Sequence, residues 1–361
     1  MNANKLIYLV LPIFLSACSS TDADVSGKNE KADGNGKLIK FSVPSTQLST
    51  SGTSATRAKL MEYYDDFAEE NIQVTALRTS GSGFFTDERV GYVSADDSWV
   101  MDNKYYWPPG YEFNFFARAP YGDTNISSAS AQSFVYTIPA ANNQQKDFMY
   151  AATYNPSSAD GTVQLNFLHG LAAISFRGKT EGTTVSVVVS DIEICNVYRS
   201  ATFTMPTSTT TKEEGVASPQ GSWSGLSSLG SLHSGVASDG VTLSSLETFD
   251  ITSETGGITM IPQTLTAWNR SSKATEQSGS YLIVHCRLVD NGFYLAGSAD
   301  TYGEIYFPFS ETFEAGKHYT YTLTFGVGYD ESGKKNEIHL TMTSTIVDWN
   351  RETINFDKKI L

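Results

Sequence analysis

Apolar residues fall on alternate positions along most of this chain, a period of two that suits a half-buried strand and not a helix. Ile39, Phe41 and Val43 alternate with Lys40 and Ser42; Tyr111, Phe113 and Phe115 alternate with Glu112 and Asn114; Phe134, Tyr136 and Ile138 alternate with Val135 and Thr137. The pattern runs on through Leu165 to His169, Leu171 to Phe176, Val185 to Val189, and Ile192, Ile194 and Tyr198. It returns at Tyr281 to Leu288, Thr301 to Phe309, His318 to Phe325 and Ile338 to Val347. Pro108-Pro109-Gly110 and Asp290-Asn291-Gly292 punctuate these runs as turns. Only Leu60 to Glu70 reads as a short helix or irregular segment. The expected fold is all-β. At 361 residues the chain is long enough for about two domains, here two sandwich-like ones in tandem.

The turn-rich stretch from Asn155 to Gly161 places the join, giving an N-terminal domain over 37–160 and a C-terminal domain over 161–361. Residues 206–247 hold 11 Ser and 6 Gly among 42 residues, and that composition reads as a surface excursion of the second domain. Hydrophobic residues are 40% of the chain, enough to fill cores, and the net charge of −14 would be repelled by a phosphate backbone, so nucleic acid is excluded as a partner.

The first residues give an address. Lys5 precedes an apolar run from Leu6 to Leu15, too short to span a bilayer but the length of a signal-peptide core, so 1–17 reads as a signal peptide. Leu15-Ser16-Ala17-Cys18 resembles a lipobox, in which the Cys18 thiol is acylated and heads the mature chain. Residues 18–36 are polar and aperiodic, a flexible tether between membrane and folded body. The expectation is an exported lipoprotein anchored to a membrane by its acyl chains (palmitate among them). Cys195 and Cys286 remain, in strand-like runs; export permits a disulfide between them, and the preferred reading is two separate buried thiols.

Catalytic signatures do not appear: no Gly-x-Ser-x-Gly, His-Glu-x-x-His, P-loop or Gly-x-Gly-x-x-Gly. His169 sits within an apolar alternation and reads as a hydrogen-bonded core residue. His285 and Cys286 are adjacent, so a strand sends them to opposite faces and they cannot share a metal. His318 and His339 read as strand-surface residues. Asp96-Asp97 reads as a solvated loop pair, with a weak calcium contact as the alternative, and Tyr105-Tyr106-Trp107 as either a sheet brace or a sugar-stacking surface. No catalytic residue, metal or cofactor is expected, and the chain is read as a non-enzyme.

Motifs spread over nearly the whole chain, in a fixed order, resemble the bacterial fimbrillins, lipoprotein-derived subunits of type V pili. They are the lipobox ending at Cys18, Thr56-Arg57-Ala58, the stretch from Pro109 to Ala117, Asp147-Phe148-Met149-Tyr150-Ala151 and Phe167 to Ala172. Ile261-Pro262-Gln263-Thr264-Leu265, Ala315 to Leu323 and Ile346-Val347-Asp348-Trp349 complete the set. The resemblance implies two transthyretin-like β-sandwiches and an assembly cycle. An arginine-specific surface protease would cut between Arg57 and Ala58, releasing lipid, tether and the first strand with Ile39, Phe41 and Val43. A strand from another subunit, with Val347 and Trp349 or Ile354 and Phe356 as candidate donors, would fill the vacated groove and build a fimbrium that supports adhesion.

The residues themselves are compatible with each step. Arg57 is the first Arg of the chain and lies in a polar stretch that proteases reach. Losing Ile39, Phe41 and Val43 would expose burial worth about 1.5–3 kcal/mol per side chain, which a strand of matching alternation would restore. The competing reading is a monomeric outer-membrane surface lipoprotein binding a glycan or host protein through Tyr105, Tyr106 and Trp107 or through 206–247. An unrecognised hydrolase is a third.

Overall fold

The computed structural model describes residues 36–43, 69–93, 98–157, 161–211, 217–244, 246–253, 257–269, 273–274, 278–329, 335–348 and 358–359. Among these the chain is all-β. The first ten strands are β1 (Lys40–Ser42), β2 (Ile72–Arg78), β3 (Gly83–Val93), β4 (Ser98–Met101), β5 (Phe113–Ala119), β6 (Ile126–Ser127), β7 (Ser133–Thr137), β8 (Met149–Tyr154), β9 (Thr162–Gln164) and β10 (Leu168–His169). After them come β11 (Ala172–Thr180), β12 (Val185–Thr204), β13 (Ser222–His233), β14 (Val241–Leu243), β15 (Phe249–Asp250), β16 (Ile258–Met260) and β17 (Gln263–Thr264). The rest are β18 (Tyr281–Asp290), β19 (Phe293–Ala296), β20 (Gly303–Pro308), β21 (Thr312–Phe313), β22 (Lys317–Tyr329), β23 (Lys335–Asp348) and β24 (Lys358–Lys359).

The first sheet runs β10-β8-β5-β2-β3-β4-β1-β9. Its two edge strands are almost consecutive in the chain. Gln164 and Leu168 are four residues apart, a span of at most about 14 Å, whereas eight flat strands at ~4.8 Å spacing would put the edges about 34 Å apart. The sheet therefore curls round on itself, and its concave side encloses a core of Ile39, Phe41, Ile72, Val74, Phe85, Val90, Trp99, Phe113, Phe115, Met149, Val163 and Phe167, among others.

A second core lies between two further sheets. One is ordered β15-β11-β22-β23-β24 and the other β19-β18-β12-β7-β6, with β13 and β14 also paired to β12 and β20 to β18. Ile174, Phe176, Tyr321 and Leu323 from the one meet Val187, Ile192, Ile194, Val284 and Leu288 from the other. The same core takes in Phe116, Phe148, Tyr150 and Ala152 from β5, β8 and the residue before β8, so the convex side of the first sheet is packed as well.

The join drawn after residue 160 falls between β8 and β9, inside the first sheet, which thus draws strands from both sides of it. Conversely, β6 and β7 precede that join but belong to the sheet of β12, where Phe134 lies opposite Phe203. The Ser/Gly-rich segment also differs from expectation. Rather than standing away from the body, it supplies β13, which pairs with β12 from Glu193–His233 to Thr204–Ser222, and sends Leu232 and Leu243 into the core. Hydrogen bonding along an existing strand compensates for the segment's few apolar side chains.

Candidate assembly site

Strand β1 is three residues long, yet it is held on both sides. Phe41 is registered antiparallel with Trp99 of β4 and parallel with Val163 of β9. Backbone bonds extend the pairing: Ile39 donates to the Tyr105 carbonyl at 2.8 Å, Lys40 to Gly161 at 2.8 Å, Trp107 to Lys37 at 2.8 Å and Leu165 to Ser42 at 2.9 Å. The alternation seen in the sequence has its physical cause here. Ile39, Phe41 and Val43 are only 2%, 5% and 8% exposed, facing the concave core, while Lys40 points to solvent. Phe41 meets Phe115 edge to face, with centroids 5.9 Å apart, and Trp107 lies 5.7 Å from the same ring.

Among the described residues, no strand other than β1 joins β4 to β9. Taking β1 away would leave a slot about 10 Å wide between the flanking strands, with bare ladder groups on both rims and an apolar floor. The rims have their own anchors. On the β4 side, the buried Glu88 carboxylate accepts from the Asn103 backbone at 2.8 Å, from its side-chain amide at 2.9 Å and from the Tyr105 hydroxyl at 3.2 Å. Burial, with Glu88 adding to it, pushes the Tyr105 hydroxyl above its ordinary pKa. Phe85 packs on the Tyr105 ring at 4.5 Å. On the β9 side, the Thr153 hydroxyl donates to the Gln164 carbonyl at 2.7 Å. Such a groove is braced to accept an extended segment by ladder bonds and alternate side-chain pockets.

Trp107, read from sequence as either a sheet brace or a sugar-stacking residue, is 6% exposed and part of the core floor, and Tyr105 and Tyr106 are half-buried beside it. Of the two readings of that triplet, this burial fits the sheet brace. Val347 lies in β23, paired with His318 of β22, and a Lys317–Asp348 ion pair ties the neighbouring positions. It is thus in a different sheet from β1. Cys18, Arg57, Ala58, Trp349, Ile354 and Phe356 lie outside the described residues.

His169 bonds Asp147 at 2.9 Å in the interior, as its apolar setting implied. His318 differs from the surface reading. It is half-buried, 2.8 Å from the Ser175 hydroxyl, and burial with the neighbouring His169 lowers its pKa to about 4. Cys195 and Cys286 are free and buried, and burial pushes both thiols up to about 12. Neither Gly161 nor Glu88 was singled out as a site residue from sequence. Only Gly161 carried a signal, as the last residue of a turn-rich stretch.

A family profile described as fimbrillin-like matches residues 56–349. No curated protein matches by sequence. Among solved structures, a candidate cell adhesion protein from Bacteroides uniformis is similar at 17% identity and a TM-score of 0.48, over 87% of this chain and 99% of that one. A candidate cell adhesion protein from Parabacteroides distasonis is similar at 11% identity and a TM-score of 0.41, over 87% and 96%. The tip fimbrial protein Mfa3 from Porphyromonas gingivalis is similar at 12% identity and a TM-score of 0.35, over 78% and 94%.

Proposed function

Because the chain belongs to the fimbrillin-like family, we propose that it is a structural or accessory subunit of a cell-surface pilus. In this reading it is exported as a lipoprotein through Cys18 to the outer membrane, cut after Arg57 by an arginine-specific surface protease, and polymerised by strand exchange into a fimbrium that supports adhesion. The observation that carries the reading is the setting of β1: a short strand, paired on both sides, whose three apolar side chains fill a groove braced by other residues.

Arg57 follows β1 and precedes β2 in the chain, so a cut there severs β1 from everything it packs against. Three buried side chains at about 1.5–3 kcal/mol each favour refilling the groove, and unpaired ladder groups add to the drive. A donor from the C-terminal end, offering Val347 and Trp349 or Ile354 and Phe356, has the alternation the groove demands.

Purified precursor treated with an arginine-specific protease tests the scheme. Wild type is expected to lose its N-terminus at Arg57 and to give a ladder of oligomers on denaturant-free electrophoresis. Arg57→Ala is expected to stay full-length and monomeric. Filaments from Arg57→Ala, or a cut wild type that stays monomeric, would overturn the processing step.

A further inference from the structure

We propose that the outer face of the β12 sheet, along its β19–β20 edge, binds a neutral oligosaccharide on a row of tyrosines, Tyr294, Tyr302 and Tyr306. Five of the fourteen large apolar side chains exposed among the described residues fall between 293 and 306. The three tyrosines are among them, at 48%, 39% and 38% exposure. Clustering of this kind marks a contact surface, where single exposed residues do not. Leu282, Val284, Cys286, Leu288 and Ile305 point into the second core. Strand alternation therefore sends His285, Arg287, Val289, Glu304 and Tyr306 to the outer face. With β12 on one flank of β18, β19 and β20 share the other, end to end. Tyr294 lies opposite Val289, Gly303 opposite Cys286 and Tyr306 opposite Ile283. The row thus spans six residues of β18, about 20 Å, too long for one sugar ring and suited to a chain of them.

Two of the rings are held in place. The connection from β19 to β20 folds back on itself: the Ser298 backbone donates to the Thr301 carbonyl at 2.8 Å, and the two hydroxyls lie 2.7 Å apart. Arg287 pins this connection to the sheet, donating to the Ala299 carbonyl at 2.7 Å and to the Tyr302 hydroxyl at 3.2 Å. Its guanidinium also lies 4.6 Å from the centre of the Tyr302 ring. A Cβ built on Gly240 would sit 3.3 Å from the Tyr302 hydroxyl and 2.9 Å from Val188 of β12. Tyr302 thus reaches from the sheet edge across β18 as far as β12, lying over Arg287. The Tyr306 hydroxyl donates to Glu304 Oε2 at 2.6 Å. Its ring backs on Tyr281 at 5.9 Å, which backs in turn on Trp268 at 6.1 Å. Rings set in advance lose little freedom on binding.

The chemistry between the rings sets the ligand class. Tyr302, Glu304 and Tyr306 take alternate positions of one edge, so a carboxylate stands between two aromatic side chains. Glu304 Oε1 lies 3.9 Å from His285 Nδ1, beyond hydrogen-bond reach, and is open to a hydroxyl donor. A sugar chain offers the complement: C–H faces to lie on the rings and hydroxyls to donate between them. Charge argues against other occupants. Asp191 and Glu193 share this face, in register with His285 and Ile283, and Arg287 is already engaged. The whole chain carries −14. Sulfated or sialylated glycans, nucleic acid and anionic lipid are repelled by that balance. A second copy set face to face would bring like carboxylates together. The site stands on this face alone and does not depend on strand exchange.

The test sets uncut full-length protein against an array of neutral β-glucan, xylan, mannan and N-acetyllactosamine oligosaccharides with sulfated and sialylated counterparts. Calorimetry with the best neutral probe follows. Expected are one site per chain, weaker binding of the acidic counterparts, and a monomer in sedimentation with and without sugar. Tyr302→Ala and Tyr306→Ala, each checked by circular dichroism, should weaken binding about tenfold, the worth of one aromatic contact. Tyr302→Phe keeps the ring and should keep most of the affinity. Arg287→Gln, which loosens the ring without removing it, should cost less than Tyr302→Ala with the stoichiometry kept. Tyr121→Ala, at an exposed tyrosine outside the row, and Arg57→Ala should bind as wild type. Four results would overturn the site: no neutral probe bound, an acidic counterpart bound more tightly, full affinity in the Tyr302→Ala/Tyr306→Ala double variant, or affinity lost in Arg57→Ala. So would a wild-type dimer that the tyrosine substitutions dissolve.

Discussion

At the residue scale, Gly161 meets two demands at once. Its φ is +73°, a region L side chains avoid, and a Cβ built there would lie 2.7 Å from the Leu38 carbonyl oxygen. Its own carbonyl accepts from Lys40, so neither chain can retreat without loosening β1. Gly161→Ala is expected to cost about 2 kcal/mol or more in urea denaturation, from the strained dihedral and the lost approach. His318 gives a pH effect of definite sign. Its folded pKa, about 4, lies below the ordinary 6.5, so the unfolded chain takes up the proton first as pH falls. Stability from this group is complete above about pH 6.5 and is lost on descending towards pH 4. The loss is about 2 kcal/mol between pH 7 and 5. His318→Gln should flatten that part of the curve when midpoints of the two proteins are compared across pH. Ile39, Phe41, Val43 and His169 were legible because each lies in its own strand's alternation. Glu88 was not, since its partners Asn103 and Tyr105 lie beyond its own strand, and no local pattern records a register.

Among the elements, β12 shows how a chain writes its irregularities into its pattern. Val185, Val187 and Val189 occupy one phase, Ile192 and Ile194 the other, and all five are buried in one core. The phase changes where the pairing with β18 shifts register, between Val189 and Asp191. A second shift follows in the pairing with β13, between Ile194 and Val197, at Asn196 with its φ of +59°. Bulges of this kind add one residue and turn the following side chains over, so two runs that look separate in sequence form a single strand. The segment that forms β13 was illegible for the opposite reason: Ser and Gly lower its apolar content, although its neighbour supplies the hydrogen bonds. Trp223 ties that strand down, donating from Nε1 to the Gly170 carbonyl at 2.8 Å and packing 4.9 Å from Phe203. A passive excursion would tolerate Trp223→Ala. A structural strand should lose about 3 kcal/mol, the lower end for a large aromatic since the ring is only partly buried. Chemical denaturation separates the two, and amide exchange on Gly230 to His233 should show protection in wild type.

For the molecule as a whole, the segments before and after residue 160 are joined through one aromatic seam within the second core. Phe148 lies 5.4 Å from Phe134, 5.1 Å from Phe203 and 6.0 Å from Tyr150, while Tyr150 lies 4.7 Å from Phe203. These rings come from β7, β8, β12 and the residue before β8, on both sides of residue 160. Strand exchange reinforces the seam, because β7 completes the β12 sheet while β9 and β10 complete the first. Cutting the chain after residue 160 would strip β9 and β10 from the first half and β6 and β7 from the second. Each fragment would then expose several aromatic side chains and new unpaired edges, which favours aggregation over folding. Fragments 37–160 and 161–361 expressed singly should therefore be insoluble or lack near-ultraviolet dichroism, and co-expression should restore a soluble complex. Intact protein should unfold in one transition seen alike by tryptophan fluorescence, which samples Trp99 and Trp107 in the first core, and by far-ultraviolet dichroism. Two independent fragments, each cooperative on its own, would show that the seam is a contact surface and that the join after residue 160 separates true folding units. The groove occupied by β1 would then be repairable with 161–361 absent altogether. Under the coupled arrangement it is not, because β9, one of its two rims, lies on the far side of the cut.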